Sequence, residues 1–547
     1  MLGKFHRTGT VAIETELREL IERSFPRDKA REIAIFAERL FAHGTSAESL
    51  GAERRLAIAA PAFEFFAHRA EPIAVRVLPV SGAEAAAAVE TVTADCPFIV
   101  DSLHEYFHSL GAPVRTMLHP VFKVARTADG GIASMEQANS IERAESFVCA
   151  ALELKASPDA ARRIEREVRA VLTEVHLATD DFAAMTARAL GICEETAPRR
   201  DLAEVREFLR WLAQDGFVFL GYCRYRLDER GDGETPIRTE TDSELGILRP
   251  HDESRFTGAN APDRIPAARA GLSLDAPPLT IAKTRIESIV HRRRAMDVVS
   301  IRRENCGGAA AFDLFLGLFT SKAYAQEAQH IPLLRAKLAE VIAAEGAAPG
   351  SHDYKEIAAA FNSFPKDELF RAPIPELRAQ LRLILDVESE TATRLLLVPD
   401  VNRGTVIALV VMPREAFSAA VRMRIQDALA AGLGGKNVYY YLALGEGYTA
   451  RLHFCFAAPP PASAAIRDLQ AAVIRIARSW EDRFRERLVE EAGPARGREL
   501  AVRWKGAFGA EYQAVVGAAR AARDAIAAEE LAAGGRDLAA EVRPATA

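Results

Sequence analysis

Residues 73–80 read IAVRVLPV and residues 88–95 read AVETVTAD, two runs whose alternating apolar and polar residues predict β-strands. A helix is predicted over residues 97–110. Two further strand patterns follow it, PVRTMLHPVFKVAR over 113–126 and SFVCAALELK over 146–155. The order of strand, helix, strand and strand predicts a βαββ core built on an antiparallel sheet.

An amphipathic helix is predicted directly after this core. Residues 159–178, DAARRIEREVRAVLTEVHLA, carry apolar side chains at helical spacing, namely Ile164, Val168, Val171, Leu172 and Val175. This helix completes a βαββα order, so we assign residues 71–180 to a ferredoxin-like module with its helices on one face of the sheet. Residues 1–70 show helical spacing and are assigned to a helical lead-in.

A second unit begins with the helical pattern REFLRWLAQ, residues 206–214, and the strand pattern FVFLGYCRYRL, residues 217–227. Residues 228–280 are rich in Asp, Glu, Gly and Pro and are predicted to be largely irregular. The strand patterns that come next are LTIAKTRI, MDVVSIRR and AFDLFLGLF. We assign residues 200–390 to a second module of the βαββ type, with a long insertion and a helical linker.

A third unit repeats the pattern in a shorter span. RLLLVPD and TVIALVVMP are predicted strands, residues 416–431 a helix, and NVYYYLAL and ARLHFCFAAP strands. Residues 391–460 are therefore assigned to a third module, and residues 461–547 to a helical C-terminal segment. The expected fold class is α+β, with tandem ferredoxin-like modules, antiparallel sheets with helices on one face, joined by helical linkers.

The composition disfavours several classes of function. The 547 residues are 49% hydrophobic and 27% charged, and the net charge of -6 gives no general attraction to nucleic acid or anionic membranes. The six cysteines are scattered without a C-x-x-C pair, which is typical of reduced thiols in the cytoplasm. The chain shows neither the apolar core of a signal peptide nor a membrane-spanning apolar run. We expect a cytoplasmic protein with no nucleic-acid or membrane partner.

The sequence His104-Glu105-Tyr106-Phe107-His108 satisfies the H-E-x-x-H pattern of zinc hydrolases, because histidines four residues apart share one helical face. A zinc hydrolase is thus an alternative function. However, the third histidine of the extended pattern falls on Val114, and the chain turns at Gly111 into strands. We therefore assign no metal to His104, Glu105 and His108, and expect both histidines to face outward from a helix that packs on the sheet.

Motifs for nucleotide binding are absent. The run Gly432 to Lys436 lacks the phosphate-loop spacing and follows a predicted helix, which indicates a helix end and turn. No G-x-G-x-x-G occurs between a strand and a helix, so the chain is predicted to bind no NAD and to carry no catalytic residues. The basic run from His291 to Arg294, with Arg302 and Arg303, could hold an anion, but a solvated strand edge is favoured.

One long stretch carries a family resemblance. Residues 93–130 read TADCPFIVDSLHEYFHSLGAPVRTMLHPVFKVARTADG, and the matching positions are Asp95, Pro97, Phe98, Val100, Asp101, Ser102, His119, Pro120 and Val121. The stretch resembles the large bacterial NAD-specific glutamate dehydrogenases. Further matches occur in the same order, among them KTRIESIVHRRRAMDVVSIRR from Lys283, FPKDELF from Phe364 and VMPREAFSAAVRMRIQDAL from Val411. The resemblance covers roughly residues 90–500, although HEYFH is not part of the family pattern.

The resemblance implies tandem ACT-type βαββαβ regulatory modules, with the Rossmann dehydrogenase domain and its NAD outside this sequence. The implied family reaction, in amino acid catabolism, converts L-glutamate, NAD and water into 2-oxoglutarate, ammonium and NADH. This chain alone is expected to be inactive. Its expected role is regulation and oligomerisation, with the catalytic region, or a second copy through the ACT-type modules, as partner. The alternative is a free-standing amino-acid-sensing protein of the ACT type.

The resemblance also implies a place for a small amino-acid effector, in the loop between the first strand and the first helix of a module. In this sequence the loop residues are Asp95, Cys96, Pro97, Phe98, Asp101 and Ser102. Main-chain N–H groups at the start of a helix can hold a carboxylate. Asp95 and Asp101 add negative charge there, which disfavours a purely anionic ligand.

Overall fold

The computed structural model describes residues 15–42, 50–79, 87–135, 143–155, 157–227, 237–251, 254–256, 277–306, 309–390, 392–400, 404–444 and 449–534. The chain divides into two compact units. Unit 1 comprises Met1–Gln326 with Ile331–Leu333, and unit 2 comprises Glu327–His330 with Leu334–Ala547. The boundary falls inside residues 200–390, which the sequence analysis assigned to one module.

Unit 1 begins with three helices, α1 (Thr15–Ser24), α2 (Arg27–Phe41) and α3 (Ala52–Ala67). The strands of its first sheet are β1 (Ala74–Pro79), β2 (Ala87–Ala94), β3 (Val114–Leu118), β4 (Val121–Arg126), β5 (Ile132–Met135) and β6 (Arg143–Leu152). Two helices belong to this sheet, α4 (Ile99–Ser109) and α5 (Pro158–Asp180). At the start of α5, the Ser157 hydroxyl accepts a hydrogen bond from the N–H of Ala160, and Pro158 takes the first helical turn.

The first sheet is antiparallel, with the strand order β1-β2-β6-β4-β5 and β3 also pairing with β6. The segment from β2 to α5 follows the predicted βαββα order with two differences. The strand predicted over residues 113–126 is divided into β3 and β4, and the short strand β5 is added before β6. The edge position beside β2 is filled by β1, a strand that precedes the βαββα segment in the chain. The fourth strand of a ferredoxin-like sheet is thus supplied from the N-terminal side.

Each face of the first sheet is covered by a different set of helices. On one face, Leu103 and Phe107 of α4 and Leu172 of α5 lie in a core with Val89 and Val148 of the sheet. On the other face, α1 to α3 pack on the sheet through a cluster of phenylalanines, namely Phe36, Phe63, Phe66, Phe122 and Phe147. The module's own helices lie on one face, as predicted, while the lead-in covers the other.

The second sheet of unit 1 follows α6 (Phe182–Glu195) and α7 (Ala203–Trp211) and precedes α8 (Ser321–Ala325). Its strands are β7 (Phe217–Leu227), β8 (Ile237–Thr239), β9 (Leu245–Gly246), β10 (Leu279–Glu287), β11 (Ala295–Cys306) and β12 (Ala309–Phe319). The strand order is β10-β11-β12-β7-β8, and β9 pairs with β7. Much of the predicted irregular stretch, including residues 228–236 and 257–276, lies outside the described residues.

In the part of this second sheet that the structure describes, the strands follow one another directly, and the βαββ assignment of residues 200–390 stays a prediction. The described residues between β7 and β12 contain no helix, and β10, β11 and β12 pair as successive antiparallel neighbours. β12 returns directly beside β7, with Leu314 opposite Cys223. Leu314, Cys223 and Val298 lie in the same hydrophobic core as α4 and α5, so both sheets share these two helices.

Unit 2 begins with four helices, α9 (Leu334–Glu345), α10 (His352–Asn362), α11 (Lys366–Arg371) and α12 (Ile374–Glu390). Its sheet and the associated helices are β13 (Arg394–Asp400), β14 (Thr405–Pro413), α13 (Ala419–Leu433), β15 (Lys436–Leu444), β16 (Thr449–Ala457) and α14 (Ser463–Ala477). The helices that end the described chain are α15 (Trp480–Ala492), α16 (Pro494–Arg503), α17 (Ala510–Val515) and α18 (Ala518–Ala533).

The sheet of unit 2 repeats the topology of the first sheet. Its order is β13-β14-β16-β15, and the leading strand β13 again fills the edge position beside the first strand of a βαββα segment. The sequence analysis placed residues 463–477 in the C-terminal segment. The structure instead packs them as α14 on this sheet, because Leu469 and Val473 enter its core. The predicted α+β fold class is confirmed, and the permuted module occurs in both units.

Candidate functional site

The predicted effector residues lie where β2 ends and α4 begins. β2 ends at Ala94, and α4 starts at Ile99. Phe98, directly before the helix, has a φ of 74°, in the left-handed region that a bulky residue rarely adopts. No side chain caps the amino end of α4. The loop is therefore a short, strained connection at a helix start.

The first part of this loop is fixed to neighbouring protein groups. The Asp95 N–H donates to the carbonyl oxygen of Ala144 at 2.9 Å. The Cys96 Sγ lies 3.6 Å from Nδ1 of His176, whose Nε2 lies 2.6 Å from the Thr93 hydroxyl. Burial raises the pKa of Cys96 to about 11 and lowers the pKa of His176, so a neutral thiol meets a neutral imidazole. Cys96 is consequently part of the packing between the loop and α5.

Phe98 and the first turn of α4 contact a segment from the second sheet. The main-chain N–H of His291 donates to the Ser102 hydroxyl at 2.8 Å, and Nδ1 of His291 lies 3.0 Å from the Asp101 carboxylate. The ring centroids of Phe98 and His291 are 4.9 Å apart. The hydrogen bond from His291 is the main reason that the pKa of Asp101 lies below its ordinary value. Three of the six predicted residues thus converge on His291.

The basic run around His291 does not form the solvated strand edge that the sequence favoured. Residues 288–294 connect β10 to β11, and Ser288 and Val290 are fully buried. Arg292 donates to the carbonyl oxygen of Phe319, and Arg293 donates to the Ser109 hydroxyl. The break between the strand patterns LTIAKTRI and MDVVSIRR indicated that residues 288–294 form a loop. No local sequence pattern indicates that this loop contacts α4.

The H-E-x-x-H residues lie on α4 as expected of a helix packed on a sheet. His104 and His108 are exposed, and the Glu105 carboxylate accepts a hydrogen bond from the N–H of Arg293 at 3.5 Å. Within the described ranges, no three His, Cys, Asp or Glu side chains form a group suited to a metal ion. The described helices likewise include none with the length and hydropathy needed to cross a bilayer.

Comparison with protein-family models gives four matches along the chain. The glutamate dehydrogenase ACT1 domain matches residues 36–168, and helical motif 1 of the same enzyme matches residues 331–390. The glutamate dehydrogenase ACT2 domain matches residues 394–481, and helical motif 2 matches residues 487–531. These matches follow one another in order over both units. The chain belongs to the NAD-specific glutamate dehydrogenase family.

Curated members of the NAD-specific glutamate dehydrogenase family match most of this chain but only part of their own length. The enzyme of Halomonas elongata is 29% identical over 91% of this chain and 32% of its own. The enzymes of Pseudomonas aeruginosa and Mycobacterium tuberculosis are 29% and 28% identical, covering 78% and 81% of this chain and 27% of their own. The chain therefore spans about a third of the length of these relatives.

The glutamate dehydrogenase ACT2 sheet has an exposed apolar edge. β15 pairs only with β16 among the described strands, and its exposed large side chains are Val438, Tyr440, Tyr441 and Leu444. In the ACT1 sheet, the corresponding strand β4 is covered by β5. An unpaired strand edge offers main-chain N–H and C=O groups to another strand. The sequence analysis did not identify this edge.

The helical motif 1 region contains a short helix whose charged residues are buried. Lys366, Asp367 and Glu368 of α11 are each at most 5% exposed. The Glu368 carboxylate lies 3.1 Å from Nδ1 of His453 on β16, and Arg371 donates to the Tyr439 hydroxyl of β15 at 3.2 Å. Buried, hydrogen-bonded charges hold a contact in one geometry, so these pairs fix α11 against the face of the ACT2 sheet opposite α13 and α14. The sequence analysis identified FPKDELF as a family motif but did not predict that its charged residues are buried.

Proposed function

We propose that this chain is the regulatory and oligomerisation portion of an NAD-specific glutamate dehydrogenase and does not itself oxidise glutamate. The observation that carries the proposal is the recurrence of one permuted ACT-type module in both units, each within a region that an ACT-domain model of this family matches. In this proposal, NAD and the conversion of L-glutamate to 2-oxoglutarate, ammonium and NADH belong to a catalytic domain outside this sequence.

The catalytic part of the proposal is tested by following NADH absorbance with the purified chain, L-glutamate and NAD. We expect no NADH above the level in buffer. The positive control is the full-length relative from Pseudomonas aeruginosa assayed under the same conditions. NADH formation by this chain alone would overturn the proposal.

The proposed self-association surface is the free edge of β15, and the proposed partner is β15 of a second copy. An antiparallel pair of identical strands related by a twofold axis is self-complementary, since each strand offers the same N–H and C=O groups. Val438 and Leu444, about half exposed, would be covered by such pairing. The edge of the first sheet is less suited to this role, because β5 already pairs with β4.

Lysine substitutions on β15 test this surface by sedimentation velocity. Val438→Lys and Leu444→Lys place a charge on the strand edge, which opposes edge-to-edge pairing. We expect a wild-type dimer or larger assembly and a monomer for either variant. Val502→Lys and Val515→Lys are matched controls, since both valines are highly exposed on α16 and α17, and these variants are expected to associate as wild type does. A monomeric wild type, or edge variants that still associate, would refute the assembly role.

An amino-acid effector is proposed to bind at the β2–α4 loop, among Asp95, Cys96, Pro97, Phe98, Asp101 and Ser102. The uncapped amino end of α4 can hold a carboxylate, and the Asp101 carboxylate can accept hydrogen bonds from an ammonium group. The test is calorimetric titration of the chain with each of the common amino acids. We expect binding of at least one of them and its loss in Asp101→Asn. If no amino acid binds, the effector role is excluded.

A further inference from the structure

The segment between β10 and β11 contacts the same helix turn in which the effector is proposed to bind. We propose that residues 288–294 form a latch that holds α4 to the second sheet and opens without unfolding of either sheet. The base of the latch is fixed by its own hydrogen bonds. The Ser288 N–H donates to the Arg294 carbonyl at 2.8 Å, and the Ser288 hydroxyl donates to the Val290 carbonyl at 2.7 Å. Opening is therefore a movement of the tip.

The hydrogen bonds that His291 and Arg293 make with α4 are polar contacts, whereas Val290, next to the tip, lies in the same apolar core as Leu103 and Phe107 of α4. Asp101, Glu105 and Ser109 follow one another at intervals of four residues and share one face of α4. Asp101 and the adjacent Ser102 contact His291, while Glu105 and Ser109 contact Arg293. Asp101 and Ser109 are exposed and Glu105 is half-buried, so their hydrogen bonds can be exchanged for bonds to water. Ser102 is buried, and its bond to the His291 N–H has to break for the tip to move. The tip, His291 to Arg293, can accordingly move while Val290 stays in the apolar core.

Backbone strain on both sides of the contact also favours opening. His291 has a φ of 65° and Phe98 a φ of 74°, and both residues are non-glycine residues in the left-handed region. Their rings contact each other across the closed latch. Release of the contact removes one interaction that stabilises these two conformations. The closed state thus depends on the bonds that His291 and Arg293 make with α4.

The latch connects the proposed effector site to the second sheet. Asp101 and Ser102 are held by His291 in the closed state, so a ligand that takes their hydrogen bonds binds the open state better. Such a ligand would shift the equilibrium toward the open latch. This regulatory consequence rests on the proposed effector function, whereas the opening of the latch does not.

Native-state hydrogen exchange with mass spectrometry tests the opening directly. In the wild-type chain, we expect the His291 amide and the first turn of α4 to exchange about tenfold or more faster than amides of β6 and β12, with little dependence on urea. Asp101→Asn is expected to accelerate latch exchange about fivefold, because it weakens a charge-assisted bond. The amides of β6 and β12 should be unaffected by this variant.

Asp95→Asn is the matched control, because it removes a carboxylate charge from the same β2–α4 connection, six residues before Asp101. The described contacts include no hydrogen bond between the Asp95 side chain and the latch. The proposal is overturned if latch amides exchange only together with those of β6 and β12, or if Asp95→Asn accelerates latch exchange as much as Asp101→Asn. The experiment requires neither effector nor self-association, so its failure would remove the latch and leave the proposed function standing.

Discussion

A single buried carboxylate is expected to hold the second sheet of unit 1 to α6. Asp313 of β12 is completely buried and accepts hydrogen bonds from three arginines. Its Oδ1 lies 3.2 Å from Nη2 of Arg188 on α6 and 3.2 Å from Nε of Arg224 on β7. Its Oδ2 accepts from Nε of Arg303 on β11. The substitution Asp313→Asn keeps the shape of the side chain and removes the charge that these arginines share.

The loss of stability expected for Asp313→Asn depends on how deeply the ion pairs are buried and on which charged groups remain beside the arginines. Removing one partner of a buried ion pair costs about 3 to 5 kcal/mol. Here the arginine side chains stay about one-fifth exposed, and Glu195 remains beside Arg188 and Arg303, so the lower end applies. We therefore expect the free energy of unfolding of unit 1 to fall by about 3 kcal/mol. For a unit of this size the free energy of unfolding changes by about 3 kcal/mol per molar urea, so the unfolding midpoint should fall by about 1 M urea.

Pulse-labelled hydrogen exchange at increasing urea measures the two units separately, which is necessary because a chain of two units need not unfold in one step. Peptides from β7 and β12 report on unit 1, and peptides from β14 and β16 report on unit 2. Asp201→Asn is the control, because Asp201 pairs with Arg199 at the surface, and it is expected to leave both midpoints unchanged. A unit 1 midpoint in Asp313→Asn that equals the control would refute the reasoning.

Three further substitutions or reactions have defined outcomes. Phe36→Ala should lower the stability of unit 1 by about 3 to 5 kcal/mol in the same exchange experiment, because it opens a cavity among four contacting phenylalanines. Burial lowers the pKa of Lys366 to about 8, below the ordinary value of 10.5, and does the same to Lys337 in the same unit. The unfolded chain therefore binds more protons between these values, so unit 2 should become more stable as pH rises, and Lys366→Met should reduce that increase in urea midpoints by about half. Because burial raises the pKa of Cys96 to about 11, its alkylation by iodoacetamide should still accelerate above pH 9, and a rate that levels off near pH 9 would contradict the burial.

The sequence by itself determined the order of strands and helices in the two ACT-type modules. The alternation in residues 88–95 and the helical spacing from Ile164 to Val175 are local patterns, and the structure places β2 and α5 there. Family motifs then indicated the family, since motif matches need no knowledge of contacts. The predicted effector loop also lies between a strand and a helix, as expected, although its binding role stays a prediction.

Tertiary structure alone decided how distant segments combine. A strand pattern does not state which edge it joins. The sequence therefore did not show that β1 lies beside β2, or that β10, β11 and β12 are successive neighbours in the second sheet. His291 meets Ser102 across 189 residues of chain, a contact that no local period encodes. Lys366, Asp367 and Glu368 look like surface residues by composition, yet they are buried where α11 packs on the ACT2 sheet. There His453 of β16 lies beside Glu368, and Tyr439 of β15 accepts a hydrogen bond from Arg371. Local patterns follow from the backbone geometry of single elements, whereas edges, contacts and burial of charge depend on which elements meet.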